Sequence, residues 1–503
     1  MTTYSLDFAR ARKRLDELKQ HLTSEEALDA DHDDIEQHIH THGQEILRLM
    51  LQGHLHYRAA SEVAEPITGV DGQTRATPRD SSRRLLSLFG KVTVLRLSLV
   101  DRDLPGGLRP LDAELNLPAD SYSFGLRRRV IDEVVRGSYD DLVQRISDTT
   151  AAHVPKRQAE NLVLAAAQDF QGFYDTRDFQ SADPEDVLVL SFDGKGVVML
   201  TRDLREATRK KAEQSKPKLD HRVSPGEKPN RKRMAQVATV YEVSVQVREP
   251  ADIIGPAEAV EERARRRKKR PRTKNKRVWA SLVEDPLKVI DDAFHEALLR
   301  DPQFQRRWVV LVDGCGHQLR RIRRVASSYG VEVFIVLDII HVVEKLWKAA
   351  WCLFEKGDPA ADAWVSTRLL RMLEGRVSGV AGGMRRSATL RELTATQREK
   401  LDDCASFLVK HKALLDYAEA LACGYPIATG VIEGACRHLV QDRMGITGAR
   451  WSLKGGEAVL RLRALYASGD LQEYRVFHKQ RELERNHLRH FADHELQHLR
   501  RVA

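Results

Sequence analysis

The sequence predicts an α/β core joined to a mainly α-helical N-terminal region and interrupted by an all-α insertion. Three observations carry that prediction. Apolar strand-like runs alternate with helical periods from about residue 185, the charged first 64 residues have a helical period, and the stretch 357–425 has no strand signal. At 503 residues the chain can hold several domains and a core that needs no disulfide staples. The five cysteines (Cys315, Cys352, Cys404, Cys423 and Cys436) lie far apart without a CxxC pair. That spacing argues against a zinc finger and for a reducing compartment. With neither a signal-peptide layout nor an apolar run of membrane-spanning length, the expected setting is the cytoplasm, with no membrane partner.

Residues 1–64 read as helical and rich in histidine. His38 and His42, four apart, either share one metal on a helix or lie on a solvated face. Residues 65–120 read as a loop, "EPITGVDGQTRATPRDSS", followed by a short β segment over Val92–Val100. In 121–180 the pattern is helical, and "SYDDLVQRISDTTAAHVPKRQAENLVLAAA" has the layout of a helix-turn-helix. Pro155 opens its second helix, and Lys156 and Arg157 stand at the exposed start. A plain helical hairpin fits the same residues.

The core is expected over 181–356. "DVLVLSFDG" reads as a strand, "GVVML" as its hairpin partner across a glycine turn, and "QVATVYEVSVQV" as a third strand. A helix, the strand "RWVVLVDG", a second helix and the strand "VEVFIVLD" follow. The order is β-β-β-α-β-α-β, then helices. Basic arms are expected at 202–233 and 261–277. The second holds eleven Lys or Arg among seventeen residues, Arg267, Lys268 and Lys269 at its centre. Such runs are either solvated linkers or phosphate contacts. The net charge of +9 leans toward a polyanionic partner. After the all-α insertion, 426–467 returns to the core with a helix starting near Thr429, and 468–503 is a charged helical tail.

Three apolar strands end on carboxylates, at Asp193, Asp313 and Asp338, where α/β sheets place their ligands. Asp-Gly is also a common turn, so one such residue means little. Two Asp-Gly steps after buried strands, with Glu433 on an apolar late helix, mean more. Carboxylates meeting in one apolar site repel unless a cation bridges them. Oxygen donors without a Cys/His cluster suit Mg²⁺ or Mn²⁺, and a pair of such ions suits in-line attack on a phosphodiester. An aspartyl nucleophile is the competing reading of Asp193. It usually wants a second Asp two residues on, where this chain has Lys195.

"SFDGKGVVM", "LVDGCGHQLRRI", "VLDIIHVVEKLW", "ATGVIEGACRHLVQDRMGITGARWS" and "AVLRLRALYASGD" resemble the ISKra4-type transposases of bacterial insertion sequences. "LFGKVTV", "PLDAELNLP", "YSFGLRRRV" and "HVPKRQAENLV" extend the resemblance over about residues 80–478. It implies a DDE transposase with an RNase H-like mixed sheet, cutting element ends and joining them to target DNA. It further implies Asp193, Asp313 and Glu433 as catalytic residues and ligands of two Mg²⁺ or Mn²⁺ ions. Asp338 and His341 of "LDIIH" resemble an accessory signature, His341 either touching DNA or bracing the carboxylates. The implied partner is double-stranded DNA, both terminal inverted repeats and target, bound by a homodimer or larger assembly at the nucleoid, with no small-molecule cofactor.

Several neighbours of these motifs have two readings. Arg437 either holds a phosphate or pairs with Glu433 one turn away. "GARWS" offers Arg450 as a further DNA contact, and Trp451 either stacks on a frayed base or belongs to the core. Lys195 either touches the scissile strand or caps a hairpin. Two rival functions are a domesticated DNA-binding protein derived from a transposase and an RNase H-like structure-selective nuclease. The first has no need of three convergent acids, and the second no need of the basic arms.

Overall fold

The computed structural model describes residues 3–177, 183–214, 231–254, 271–391, 393–446 and 448–496. The chain divides into two compact units, Met1–Thr176 with Asp470–Ala503, and Arg177–Gly469.

In the first unit the helices Thr3–Leu22 and His32–Ala60 pack along each other. Gly53 makes the approach possible, because a Cβ there would lie 2.9 Å from the Phe8 ring. Buried Asp7 meets His56 Nδ1 at 2.5 Å, so the helix pair encloses a satisfied polar contact. His38 stacks with His21 and lies beside His42. No three His, Cys, Asp or Glu side chains form a metal cage among the described residues.

The expected loop over 65–82 is partly strand. β1 (Ile67–Thr68) and β2 (Thr74–Arg75) form a small ribbon, and β3 (Thr77–Ser87) pairs antiparallel with β4 (Gly90–Val100). The first half of β3 is exposed and carries Pro78, so its composition imitates a loop. An edge position tolerates both. Leu85, Val92 and Val94 enter a core with Leu55 and Leu117.

The helices Phe124–Val134, Tyr139–Thr149 and Lys156–Ala166 pack mutually, Ser138 and Asp141 forming a capping box for the second. The helix Leu471–Asn486 returns to this unit. Its Glu482 pairs with buried Arg127 at 3.0 Å, and Tyr474 donates to the Ala166 carbonyl at 2.6 Å.

The second unit is a mixed α/β body around a five-stranded sheet: β5 (Val187–Val198), β6 (Lys232–Val243), β7 (Lys274–Ser281), β8 (Trp308–Val312) and β9 (Val333–Leu337). Its order is β7-β6-β5-β8-β9. β7, β6 and β5 pair antiparallel, while β5, β8 and β9 run parallel; the helix Pro286–Arg300 leads from β7 to β8 and Gly316–Tyr329 from β8 to β9. The three antiparallel strands are not the expected ones. "DVLVLSFDG" and "GVVML" form one continuous strand, with Gly194 opposite Gln236 and Gly196 opposite Met234, so no turn occurs at the glycines. The hairpin partner is the expected third strand, and the true third strand is β7, drawn from the end of a basic run. Arg277 of that run is buried and pairs with Glu296, which also binds Arg300. The run's centre, Arg267, Lys268 and Lys269, lies outside the described residues.

After β9 come the helices Ile339–Ala350, Pro359–Leu373, Val377–Leu390, Ala395–Lys410 and Tyr417–Ala422, then Gly430–Ala435 and Leu453–Ser468. No helix among the described residues is long and apolar enough to cross a membrane.

Candidate active site

Asp193 and Asp313 are brought side by side. The last registered pair of the parallel strands β5 and β8 is Ser191 with Leu311, and each aspartate lies two residues further on. Equal offsets bring both to the same end of the sheet, Asp193 still within β5 and Asp313 just past the end of β8. Both are half-buried and line one cleft of about 260 Å³, with Gly194, Gln236, Gln318 and Arg321 among its walls.

The two Asp-Gly steps are built differently. Gly314 has φ of +90° and a Cβ there would lie 2.8 Å from Leu337, so that step is a true turn requiring glycine. Asp313 Oδ1 accepts from Cys315 N at 2.7 Å within it. Asp193 lies inside a strand, its Oδ1 accepting from Gly194 N at 2.6 Å.

Glu433 projects from the short helix Gly430–Ala435, which packs on β5 and β6, and its side chain is exposed. Burial first, then the charge of Asp338, pushes its carboxyl above the ordinary range; Asp193 adds to the push and His341 opposes it. Glu433 thus feels Asp193 as a neighbouring anion. Cys436, one turn later, donates its thiol to Asp193 Oδ2 at 3.1 Å. Burial, and then Asp193, push that thiol up, so it stays protonated and a donor. The chain from Cys436 to Gln441 is a π-helical turn, a feature frequent at functional sites. Arg463 secures it by donating to the carbonyls of Leu439, at 2.8 Å, and His438.

Asp338 is a different kind of residue. It is wholly buried, accepts from Ile340 N at 2.9 Å, and receives the Thr429 hydroxyl on its other oxygen. Thr429 precedes the Glu433 helix, and Ile339 N donates to Ile427 O at 2.9 Å. The end of β9 therefore anchors the segment that carries Glu433. His341 is half-buried on the next helix, near enough to Glu433 to act on its charge.

The remaining expected contacts divide. Trp451 is buried, donates to Met444 O at 3.2 Å and continues the sheet through Val198 O at 3.0 Å, so it is a core residue with no face free for a base. Arg437 is exposed and lies 3.9 Å from Asp442, not against Glu433. Arg450 is exposed. Lys195 is half-buried within β5, opposite Ala235, and so caps no hairpin. In the first unit, exposed Lys156 pairs with Asp140 at 2.8 Å and exposed Arg157 with Glu160 at 3.3 Å.

Three contributors were not singled out in the sequence as site residues: Cys436, Thr429 and Gln318. Gln318 donates to the Phe192 carbonyl at 3.1 Å while its own Oε1 has no partner among the described residues. Only Cys436 had a cue, its one-turn spacing from Glu433. No protein-family model matches the chain, and no curated protein aligns with it.

Proposed function

We propose that this chain is a DDE-type DNA transposase on an RNase H-like sheet, of the ISKra4 type that its motifs resemble. One observation carries the reading: Asp193 and Asp313 line one cleft, at the ends of the paired parallel strands β5 and β8 in a five-stranded sheet whose first three strands are antiparallel. That strand order supports the RNase H-like assignment. The carboxyl of Glu433, raised by burial and then by Asp338, with a smaller push from Asp193, supports its place beside the same acids.

The donor chemistry suits Mg²⁺ or Mn²⁺: hard carboxylate oxygens, with no cation side chain bonded to Asp193 or Asp313 among the described residues, although the three acids are not gathered into a metal-sized cluster there. Asp193 and Asp313 would hold two ions, with Glu433 completing the second position. Bound there, the ions supply an activated water or 3′-hydroxyl and stabilise the leaving oxygen. Asp193 must turn its Oδ2 away from the Cys436 thiol to take part. Gln318 Oε1, unpartnered at the cleft wall, can accept from a ligand water or a nucleophile. No side chain need become covalently attached to DNA.

Nicking of supercoiled plasmid in Mg²⁺ tests the reading. Asp193→Asn, close to isosteric, is expected to lower the rate by about a hundredfold or more. Equal rates for variant and wild type would overturn it.

A further inference from the structure

The helix Gly316–Tyr329 starts just beyond the Asp313 turn. Its buried face is Leu319, Ile322, Val325 and Ala326, and its sequence, GHQLRRIRRVASSY, contains no acidic residue. The other side carries Arg320, Arg321, Arg323 and Arg324. Three of these are exposed, and Arg321 is half-buried in the wall of the Asp193–Asp313 cleft.

None of the four pairs with a carboxylate among the described residues; Arg320 approaches only His317 Nδ1, at 2.7 Å. Elsewhere arginines of this unit are neutralised, as Arg277 and Arg300 are by Glu296. The helix dipole does not explain the cluster, because cations are favoured in the last turn and these stand mid-helix. Like charges at this spacing repel and destabilise the helix slightly. A bound polyanion removes that repulsion.

We propose that this helix is a phosphate track carrying the backbone of one DNA strand into the cleft. The assignment rests on the reading of that cleft as a DNA-cutting site. Arg321 sits at the cleft, and Arg320 and Arg324, one turn and about 6 Å apart, follow the backbone outward. Guanidinium forks suit phosphate oxygens, binding two at once. Such contacts set the position of the strand and carry no sequence information.

The test is binding of a fluorescent duplex of arbitrary sequence, in EDTA so that nothing is cut, over a range of KCl concentrations. Replacing Arg320, Arg321 and Arg324 together by Ala is expected to weaken binding about tenfold or more. The slope of log affinity against log salt should fall by about 3, close to one per lost phosphate contact. The triple Lys variant should keep the wild-type slope. Unchanged affinity and slope in an Ala variant with wild-type circular dichroism and melting overturns the track. Equal loss in the Lys variant also overturns it, since charge is then not the cause. Cleavage by Asp193→Asn separates the two ideas. If that variant is dead while the triple Ala variant binds normally, the track fails and the catalytic reading stands. If Asp193→Asn cuts normally while triple Ala loses binding, the track stands without the catalytic reading.

Discussion

Asp338 has no exposed surface, and both its oxygens are engaged, one by the Ile340 amide and one by the Thr429 hydroxyl. Its charge still reaches outward: burial and then Asp338 push the phenols of Tyr241 and Tyr417 up, and Glu433 is raised in part by the same charge. A buried carboxylate that loses a donor keeps its desolvation cost without compensation. Thr429→Val should therefore destabilise the protein by about 1–3 kcal/mol in urea unfolding. It should also slow plasmid cleavage by loosening the Glu433 segment, whereas Thr429→Ser should retain both properties. Asp313 and Asp193 show how little a dipeptide says alone. Gly314 needs its positive φ against Leu337, while Gly194 sits in a strand opposite Gln236.

The elements repeat that lesson at larger scale. β5 extends through two glycines because β6 offers twelve registered partners from Val187 to Val198, so ladder pairing outweighs the glycines' preference for turns. β7 draws on a run that reads as a solvated arm, and its cation Arg277 is buried only because Glu296 of the helix Pro286–Arg300 comes to meet it. The expected order β-β-β-α-β-α-β does not hold: the first three strands are different ones, and the helices Glu206–Gln214 and Pro250–Ile253 lie between them, the first within the expected basic arm 202–233. The C-terminal helix likewise gains its meaning from partners distant in sequence. Asp169 accepts from His478 at 2.7 Å and from Arg485. Burial alone would raise the Asp169 carboxyl, but the His478 hydrogen bond and the Arg485 charge outweigh it and hold it below the ordinary value. A depressed carboxyl stabilises the fold above the unfolded value of about 4, and that contribution is lost as pH falls through the lowered folded value. Asp169→Asn should cost about 1–3 kcal/mol at neutral pH in thermal or urea unfolding, and the difference should disappear in acid.

At the scale of the molecule the chain carries a net +9, arranged as basic segments and as the arginine face of Gly316–Tyr329, which pairs with no carboxylate among the described residues. On the proposed reading, a charge pattern of that kind would give affinity for DNA without choosing a sequence. If the chain is a transposase, cleavage should depend on inverted repeats flanking its gene. Cutting a repeat-bearing plasmid and a repeat-free plasmid at equal rates would favour the structure-selective nuclease instead.

The sequence by itself determined the α/β class, the strands β8 and β9 with the carboxylates that follow them, and the helical stretch over 357–425, because apolar runs and polar punctuation are local properties. Tertiary structure decided which strands form the antiparallel half of the sheet, that Asp338 and Trp451 are interior residues, and that Cys436 and Thr429 brace the acids. Those outcomes depend on pairing and burial between residues far apart in the chain, which no local pattern records.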